Sequence, residues 1–292
     1  MRSGMVAVVG RPNVGKSTLV NHLVGHKVSI VAPKPQTTRQ RVQGVLNFEG
    51  AQIVFVDTPG LHHGGKTALN RYMNEAAAAA FIDVDIILHV VDAGRWTAED
   101  DAVLQRVKAA QTPTLLVANK VDCFQDKEQL LPLIAELSAR HDYAGIVPVS
   151  AMKGANCDAL CREIVARLPE GPQYYPDGQY SDHGLEFAVV EAVRERLIRE
   201  LGQELPYSLT VTLEALERGD DLLKASAVIW VEREGQKKIV IGKDGEMLKR
   251  VGSAARRALE HQTRQRVFLK LWVRVKSGWT DDPATLKRFG YE

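Results

Sequence analysis

The sequence predicts an α/β fold built on a doubly wound parallel sheet, followed by a smaller α+β domain. Three observations carry that prediction. Solid aliphatic runs without polar alternation recur along the first half, as strands covered on both faces require. Helix-like intervals separate them one for one. Near Leu168 the texture changes to Pro- and Gly-rich punctuation, and the strand–helix alternation stops.

The first strand is expected over residues 5–9; Gly10 ends it and a helix begins at Lys16. Further strands are expected over 53–56, 86–91, 115–118 and 146–149, with helices over 70–82, 99–110, 127–141 and 156–168. The segments Pro169-Glu170-Gly171-Pro172 and Tyr174 to Gly178 read as a linker spanning 169–182. That divides the chain into domains 1–168 and 183–292. The second domain opens with a long amphipathic helix over 185–202. Strands follow near Pro206-Tyr207, over 225–233 and over 238–241. A helix over 246–262, a strand over 266–275 and a terminal helix over 280–289 complete it.

At 292 residues the chain has length for two cores. A 45% hydrophobic content with 25% charged residues excludes a mostly disordered chain. Three cysteines, at 123, 157 and 161, exclude a disulfide scaffold and fit a reducing compartment. Cys157 and Cys161 share a helix face and read as core filling, not metal ligands. No apolar run reaches membrane-span length, and the N-terminus shows no signal peptide, so the expected location is cytoplasmic. Net charge is +2, yet between Gln236 and Lys276 twelve Lys and Arg face only three acids. A basic block of that density suggests a polyanion-binding face.

Gly10-Arg-Pro-Asn-Val-Gly15-Lys16-Ser17 fits G-x-x-x-x-G-K-[ST] between a strand and a helix, the context that motif needs. Backbone N–H groups and a helix N-terminus then face phosphates, Lys16 reaches the outer ones and Ser17 offers a hydroxyl to Mg²⁺. Gly10, Asn13, Val14, Gly15, Lys16, Ser17 and Thr18 are the candidate phosphate contacts. Asp57-Thr58-Pro59-Gly60 follows a strand, placing Asp57 as a Mg²⁺ partner and the Gly60 N–H toward a γ-phosphate. Asn119-Lys120-Val121-Asp122 follows another. A carboxylate at Asp122 accepts from guanine N1–H and N2–H₂, donors that adenine lacks there. Asn119 would tie this loop to the phosphate loop, and Lys120 would stack its stem on the base. Ser150, Ala151 and Met152 follow the last strand, where a backbone N–H would meet guanine O6.

These segments together resemble a translational-type GTPase domain of the P-loop class, with Thr37-Thr38-Arg39 as the flexible switch. The resemblance implies that Thr38, or alternatively Thr37, meets Mg²⁺ in the GTP state. Many such enzymes orient water with a Gln after D-x-x-G; here Leu61 stands in that place. The sequence resembles the subgroup with a hydrophobe there, in which an Asn of the phosphate loop, here Asn13, recruits a potassium ion. Slow intrinsic turnover is implied, with Lys16, Thr38, Gly60 and Asn13 as the catalytic set. His62 and His63 adjoin Leu61 and read as loop polars.

In the second domain, Ile241-Gly242-Lys243-Asp244-Gly245 before a helix fits the G-x-x-G loop of a KH domain, which sets bare backbone against the phosphates of a single strand. Lys249 and Arg250 follow it inside the basic block. The expected order, α-β-β-GxxG-helix-β, is that of the type II, bacterial KH fold. Trp230 and Trp272 sit in expected strands and read as core or groove-flank residues, with stacking on RNA bases as the less favoured alternative.

The chain as a whole resembles the Era family, bacterial P-loop GTPases with a C-terminal KH domain in the Era/TrmE-like superfamily. Pro35-Gln36-Thr37-Thr38-Arg39 and Glu204-Leu205-Pro206-Tyr207-Ser208 are specific points of likeness; Ser181-Asp182-His183-Gly184 departs where the family tends to carry Arg. The resemblance implies a Mg²⁺-dependent GTPase that binds the 3′ end of small-subunit ribosomal RNA and assists assembly of the small ribosomal subunit. It implies RNA binding favoured by GTP, and hydrolysis stimulated by RNA. It also implies partial association with the inner face of the plasma membrane. A monomer is expected, because no long apolar seam is left unassigned.

Overall fold

A computed structural model describes residues 1–34, 36–60, 67–202 and 205–291. Of these, residues 1–29, 38–60 and 73–182 form one compact unit, and the rest form a second.

The first unit is a six-stranded sheet in the order β2-β3-β1-β4-β5-β6, built from β1 (Arg2–Val9), β2 (Val42–Phe48), β3 (Ala51–Asp57), β4 (Ile86–Asp92), β5 (Thr114–Asn119) and β6 (Gly145–Pro148). All pairs are parallel except β2–β3. The five expected strands are present, because runs such as Ile53 to Val56 and Ile86 to Leu88 are fully buried between helical layers. β2 escaped the sequence reading. It is an antiparallel edge strand whose Gln43, Leu46 and Asn47 stay partly or fully exposed, so it has no solid apolar run to announce it. The helices are α1 (Lys16–Val24), α2 (Ala68–Ala79), α3 (Ala98–Ala110), α4 (Leu130–Ser138) and α5 (Cys157–Val165), with α2 divided between the units after Tyr72. α4 is shorter than the expected 127–141 because its first three residues form a 3₁₀ turn, Lys127–Gln129. Cys157 and Cys161 are buried thiols packed under α5, as core filling requires, and burial lifts them to about 11 and about 12.

Residues 169–182 have no regular helix or strand but are tied to this sheet. The buried Gln52 side chain accepts from the N–H groups of Tyr174 and Tyr175, while Val45 N–H donates to the Tyr180 carbonyl.

The second unit carries α6 (Leu185–Glu200), β7 (Leu209–Arg218), β8 (Leu222–Val231), α7 (Glu234–Ile241), α8 (Glu246–Thr263), β9 (Arg266–Val275) and α9 (Pro283–Arg288). Its sheet runs β7-β8-β9, antiparallel then parallel. Val193, Leu197, Ile229, Val240, Val251 and Ala255 form its core. The segment expected as a strand over 238–241 is instead the end of α7. The Gln236 side chain accepts from the N–H groups of Glu232 and Arg233 and starts a helix, which turns Val240 into the core and leaves Ile239 exposed. Packing overrides the β preference of Ile-Val-Ile. The order is therefore α-β-β-α-GxxG-α-β. Near Pro206-Tyr207 the chain makes a 3₁₀ turn before β7 starts at Leu209. The terminal helix shortens to α9, since Pro283 occupies its first turn and Asp282 caps it by accepting from the Ala284 N–H.

His89 lies in the middle of β4 with no exposure. Its Nδ1 is 3.1 Å from the Tyr143 hydroxyl, and its Nε2 has no hydrogen-bond partner among the described residues. Burial, then the His141 charge, lowers its pKa to about 3. The folded state therefore holds the neutral ring, and stability falls as pH drops below the unfolded value of about 6.5. Urea midpoints should show a loss of roughly 2 kcal/mol between pH 6.5 and pH 5. His89→Leu should flatten that slope; an equal slope in the variant would exclude His89 as its source.

Candidate functional site

The parallel strands end at one edge of the sheet, and the strand order reverses across β1, which pairs with β3 on one side and β4 on the other. Loops at such a reversal splay apart and leave a crevice beyond the strand ends. The phosphate loop leaves β1 here. Gly15 has φ 101°, and a Cβ on it would stand 2.4 Å from the Asn119 side-chain nitrogen, so a side chain there is excluded twice over. Lys16 opens α1, and its ammonium donates to the carbonyls of Gly10 and Arg11 at 2.9 and 3.0 Å. Burial lowers it to about 8, with Asp57 and Asp100 pulling the other way.

Asp57 ends β3 fully buried, and among the described residues neither carboxylate oxygen meets a donor at full hydrogen-bond geometry, with the Ser17 hydroxyl close by. Burial raises its pKa, offset in part by the Ser17 hydroxyl and the Lys16 ammonium. Ser17 Oγ and Thr38 Oγ1 lie 2.9 Å apart. Thr37 turns elsewhere, its hydroxyl donating to the Lys34 carbonyl at 2.6 Å. An orphaned buried carboxylate near two paired hydroxyls suits a hard cation that takes its other ligands from phosphate and water. No cluster of three His, Cys, Asp or Glu suited to a metal exists among the described residues, so the protein supplies only part of such a shell. Gly60 approaches the phosphate loop so closely that a Cβ would meet the Pro12 ring at 3.0 Å. Leu61, His62 and His63 lie outside the described residues.

The loops expected to meet the base are joined by one side chain. Asn119 donates to the Val14 carbonyl at 2.8 Å and accepts from the Ala151 N–H at 2.9 Å. Asp122 accepts from the Ser150 hydroxyl at 2.6 Å, which orients its carboxylate. Met152 is 77% exposed, beyond this knot. Two acids that sequence reasoning missed support the loops. Asp92 holds the Lys120 ammonium at 2.7 Å, and the buried Asp100 holds Arg11 of the phosphate loop at 2.8 Å. Asp92 had a signal, since it ends an apolar strand just as Asp57 does. Asp100 had none, because it reads as an ordinary acid in the first turn of a helix.

The second constellation is the turn between α7 and α8. Gly242 has φ 77°, and a Cβ would lie 2.9 Å from the Met247 backbone nitrogen, so only glycine fits. Asp244 is also left-handed, at φ 52°. Lys243, Asp244, Lys249 and Arg250 are exposed, and Arg250 pairs with Glu200 at 2.8 Å. Ile241 and Gly245 are half-buried. Trp272 is 46% exposed on β9, so it is not a core residue. Trp230 is half-buried, stacked on Phe289.

The GTPase Era of Azotobacter vinelandii is 48% identical over 291 residues, covering 100% of this chain and 97% of that protein. The chain belongs to the Era family of GTPases. The Stenotrophomonas maltophilia Era is 50% identical over 99% of this chain and 97% of its own length. Within the chain, residues 5–120 match the family described as 50S ribosome-binding GTPase, and residues 204–280 match the KH domain family. Two solved Era structures superpose over the full chain at 41% identity, each covering 99% of that protein's own chain. One is Era in complex with MgGDPNP and nucleotides 1506–1542 of 16S ribosomal RNA, with TM-score 0.95. The other is a single-substitution variant of Aquifex aeolicus Era bound to GDP and AlF4⁻, with TM-score 0.96. The family's architecture, a P-loop GTPase domain followed by a KH domain, is the one found here, and GTP hydrolysis is the family's activity.

Asp122→Asn removes the charged acceptor for two guanine donors. GTP and GDP affinity should fall by about 2–4 kcal/mol, about 30- to 1,000-fold in Kd, in a titration with a fluorescent GDP analogue. Unchanged affinity would sink the guanine assignment.

Proposed function

We propose that this chain is a GTP-hydrolysing switch that binds the 3′ end of small-subunit ribosomal RNA through its KH domain and assists small-subunit assembly. The observation that carries the reading is the pairing, in one chain, of an oriented Asp122 behind a phosphate loop with an exposed Gly242–Gly245 turn bearing Lys243. The RNA class comes from the related Era solved with 16S ribosomal RNA. Domains 1–168 and 183–292, joined by 169–182, divide the labour.

At the nucleotide, Lys16 and the loop N–H groups from Asn13 to Thr18 neutralise the phosphates, while Ser17, Thr38 and Asp57 hold Mg²⁺. The ion bridges phosphate oxygens and draws off developing charge. Thr58 and the Gly60 N–H follow the γ-phosphate, and Asn13 would hold a potassium ion, which would supply added positive charge to the site. Thr38 has the better claim over Thr37, since it already stands against Ser17. Asn119, Lys120, Asp122, Ser150, Ala151 and Met152 enclose the base. GTP favours RNA binding, and RNA speeds an otherwise slow hydrolysis. The working state is a cytoplasmic monomer with peripheral contact to the inner face of the plasma membrane. No helix among the described residues is long and apolar enough to cross a membrane.

Turnover in potassium and in sodium buffer, with and without RNA carrying the small-subunit 3′ tail, tests the reading. Potassium and RNA should each raise the rate. Asn13→Ala should erase the difference between the cations, and Lys243→Glu with Lys249→Glu should erase the RNA stimulation. Tight RNA binding without stimulation would make the protein an RNA-binding module whose nucleotide site is uncoupled.

A further inference from the structure

The KH sheet has two faces: α6, α7 and α8 pack on one, and the C-terminal segment after α9 lies on part of the other, at Trp230. β9 alternates along its length. Val267, Leu269, Leu271 and Val273 turn toward the helices, where Leu271 lies against Gly252 of α8. Arg266, Phe268, Lys270, Trp272 and Arg274 turn the other way, and all five are exposed. Phe268 at 57% and Trp272 at 46% are among the most exposed large apolar side chains of the chain. Two aromatics on one strand face, flanked and separated by cations, are costly to leave in water without a use.

We propose that this outer face of β9 is a second RNA surface, on which bases flanking the groove-bound nucleotides stack against Phe268 and Trp272. The proposal rests on the RNA reading above. Several features favour single-stranded RNA over other anionic partners. Bases need flat apolar surfaces and phosphates need cations, and β9 supplies the two in alternation about 7 Å apart. Arg266 and Lys270 have no acid partner among the described residues, whereas Arg274 and Lys224 are paired with Glu214 and Glu217 of β7. The unpaired charge is thus concentrated beside the exposed rings. Lys270 already sits 5.0 Å from the Trp272 ring, a cation–aromatic contact that a stacked nucleotide would extend to its phosphate.

The fold itself uses this face for stacking. Toward the far end of the strand, Phe289 from the C-terminal segment lies on Trp230 at 5.1 Å with an interplanar angle of 27°. That segment covers Trp230 and leaves Phe268 and Trp272 bare. Continuity supplies the last argument. β9 is an edge strand, so the apolar side chains facing α8 and the exposed rings are two sides of one strand. A KH groove takes about four bases, whereas the RNA in the related Era complex runs from nucleotide 1506 to 1542. A strand leaving the groove has only to turn around the edge of β9 to reach the outer face.

The test uses the full chain loaded with Mg²⁺ and a non-hydrolysable GTP analogue. Two RNAs are titrated: the long small-subunit 3′ segment, and a fragment of about six nucleotides that fills the groove alone. Phe268→Ala with Trp272→Ala should weaken the long RNA by about 5-fold or more and leave the short one unchanged. Thermal melting checks the fold, which exposed side chains should not disturb. A second variant, Arg266→Glu with Lys270→Glu, should lower the salt dependence of long-RNA binding by about 1.4 in log–log slope. Equal loss on both RNAs would place the effect in the groove and overturn the proposal, as would no loss on either. Intact RNA binding with lost sedimentation on phosphatidylglycerol vesicles would assign the face to lipid instead. If the unaltered protein binds neither RNA, the RNA reading fails first and this surface falls with it.

Discussion

The nucleotide site depends on one amide. Asn119 ends β5 and spends both ends of its side chain on other loops, donating to Val14 in the phosphate loop and accepting from Ala151 after β6. Three loops far apart in sequence thereby share one rigid point. Asn119 is almost fully buried, so neither bond competes with water, and losing one would leave a buried polar atom unpaired. The same amide forbids any side chain at Gly15. On the proposed assignment, base recognition and phosphate recognition would be set by a common distance. Ser150 then orients Asp122 from the third loop, so the carboxylate proposed to select guanine would be positioned before a base arrives.

Around this point the protein keeps charges buried and incompletely matched. Lys16 is lowered by burial and Asp57 is raised by it. Each is costly without a partner, and each sits where a triphosphate and its cation would supply one. The peripheral charges behave differently. Arg11 is matched by Asp100, and Lys120 by Asp92, in pairs that fix loop shape and leave no net demand. The contrast separates groups that bind from groups that brace.

How much was legible in the sequence follows from where each signal lives. The five buried parallel strands are solid apolar runs, and the phosphate, D-x-x-G and N-K-x-D segments sit at strand ends that their own residues define. Those signals are local. β2 is an edge strand with polar alternation, and its pairing with β3 is a tertiary fact. α7 misled for the opposite reason, since Lys-Lys-Ile-Val-Ile has the composition of a strand. Only Gln236 capping the preceding N–H groups and Val240 entering the core make it a helix. Asp100 was invisible because its partner lies 89 positions away. The Ser17–Thr38 pairing likewise needed the fold, since sequence alone left both Thr37 and Thr38 open.

The second unit shows why exposure, more than composition, decides a functional reading. Twelve cations lie between Gln236 and Lys276, but they are not one patch. Arg256 pairs with Glu260, Arg250 with Glu200 and Arg274 with Glu214, and those pairs stiffen the surface. Lys243 and Lys249 remain at the turn that only glycines can make, while Arg266 and Lys270 remain beside exposed rings. A strand reading of Trp272 as core was reasonable from its neighbours Leu271 and Val273. Strand periodicity sends it to the face opposite α8, where it stays 46% exposed. A tryptophan at such a place leaves apolar ring surface in water between cations, and that exposed surface is what the proposed stacking face rests on.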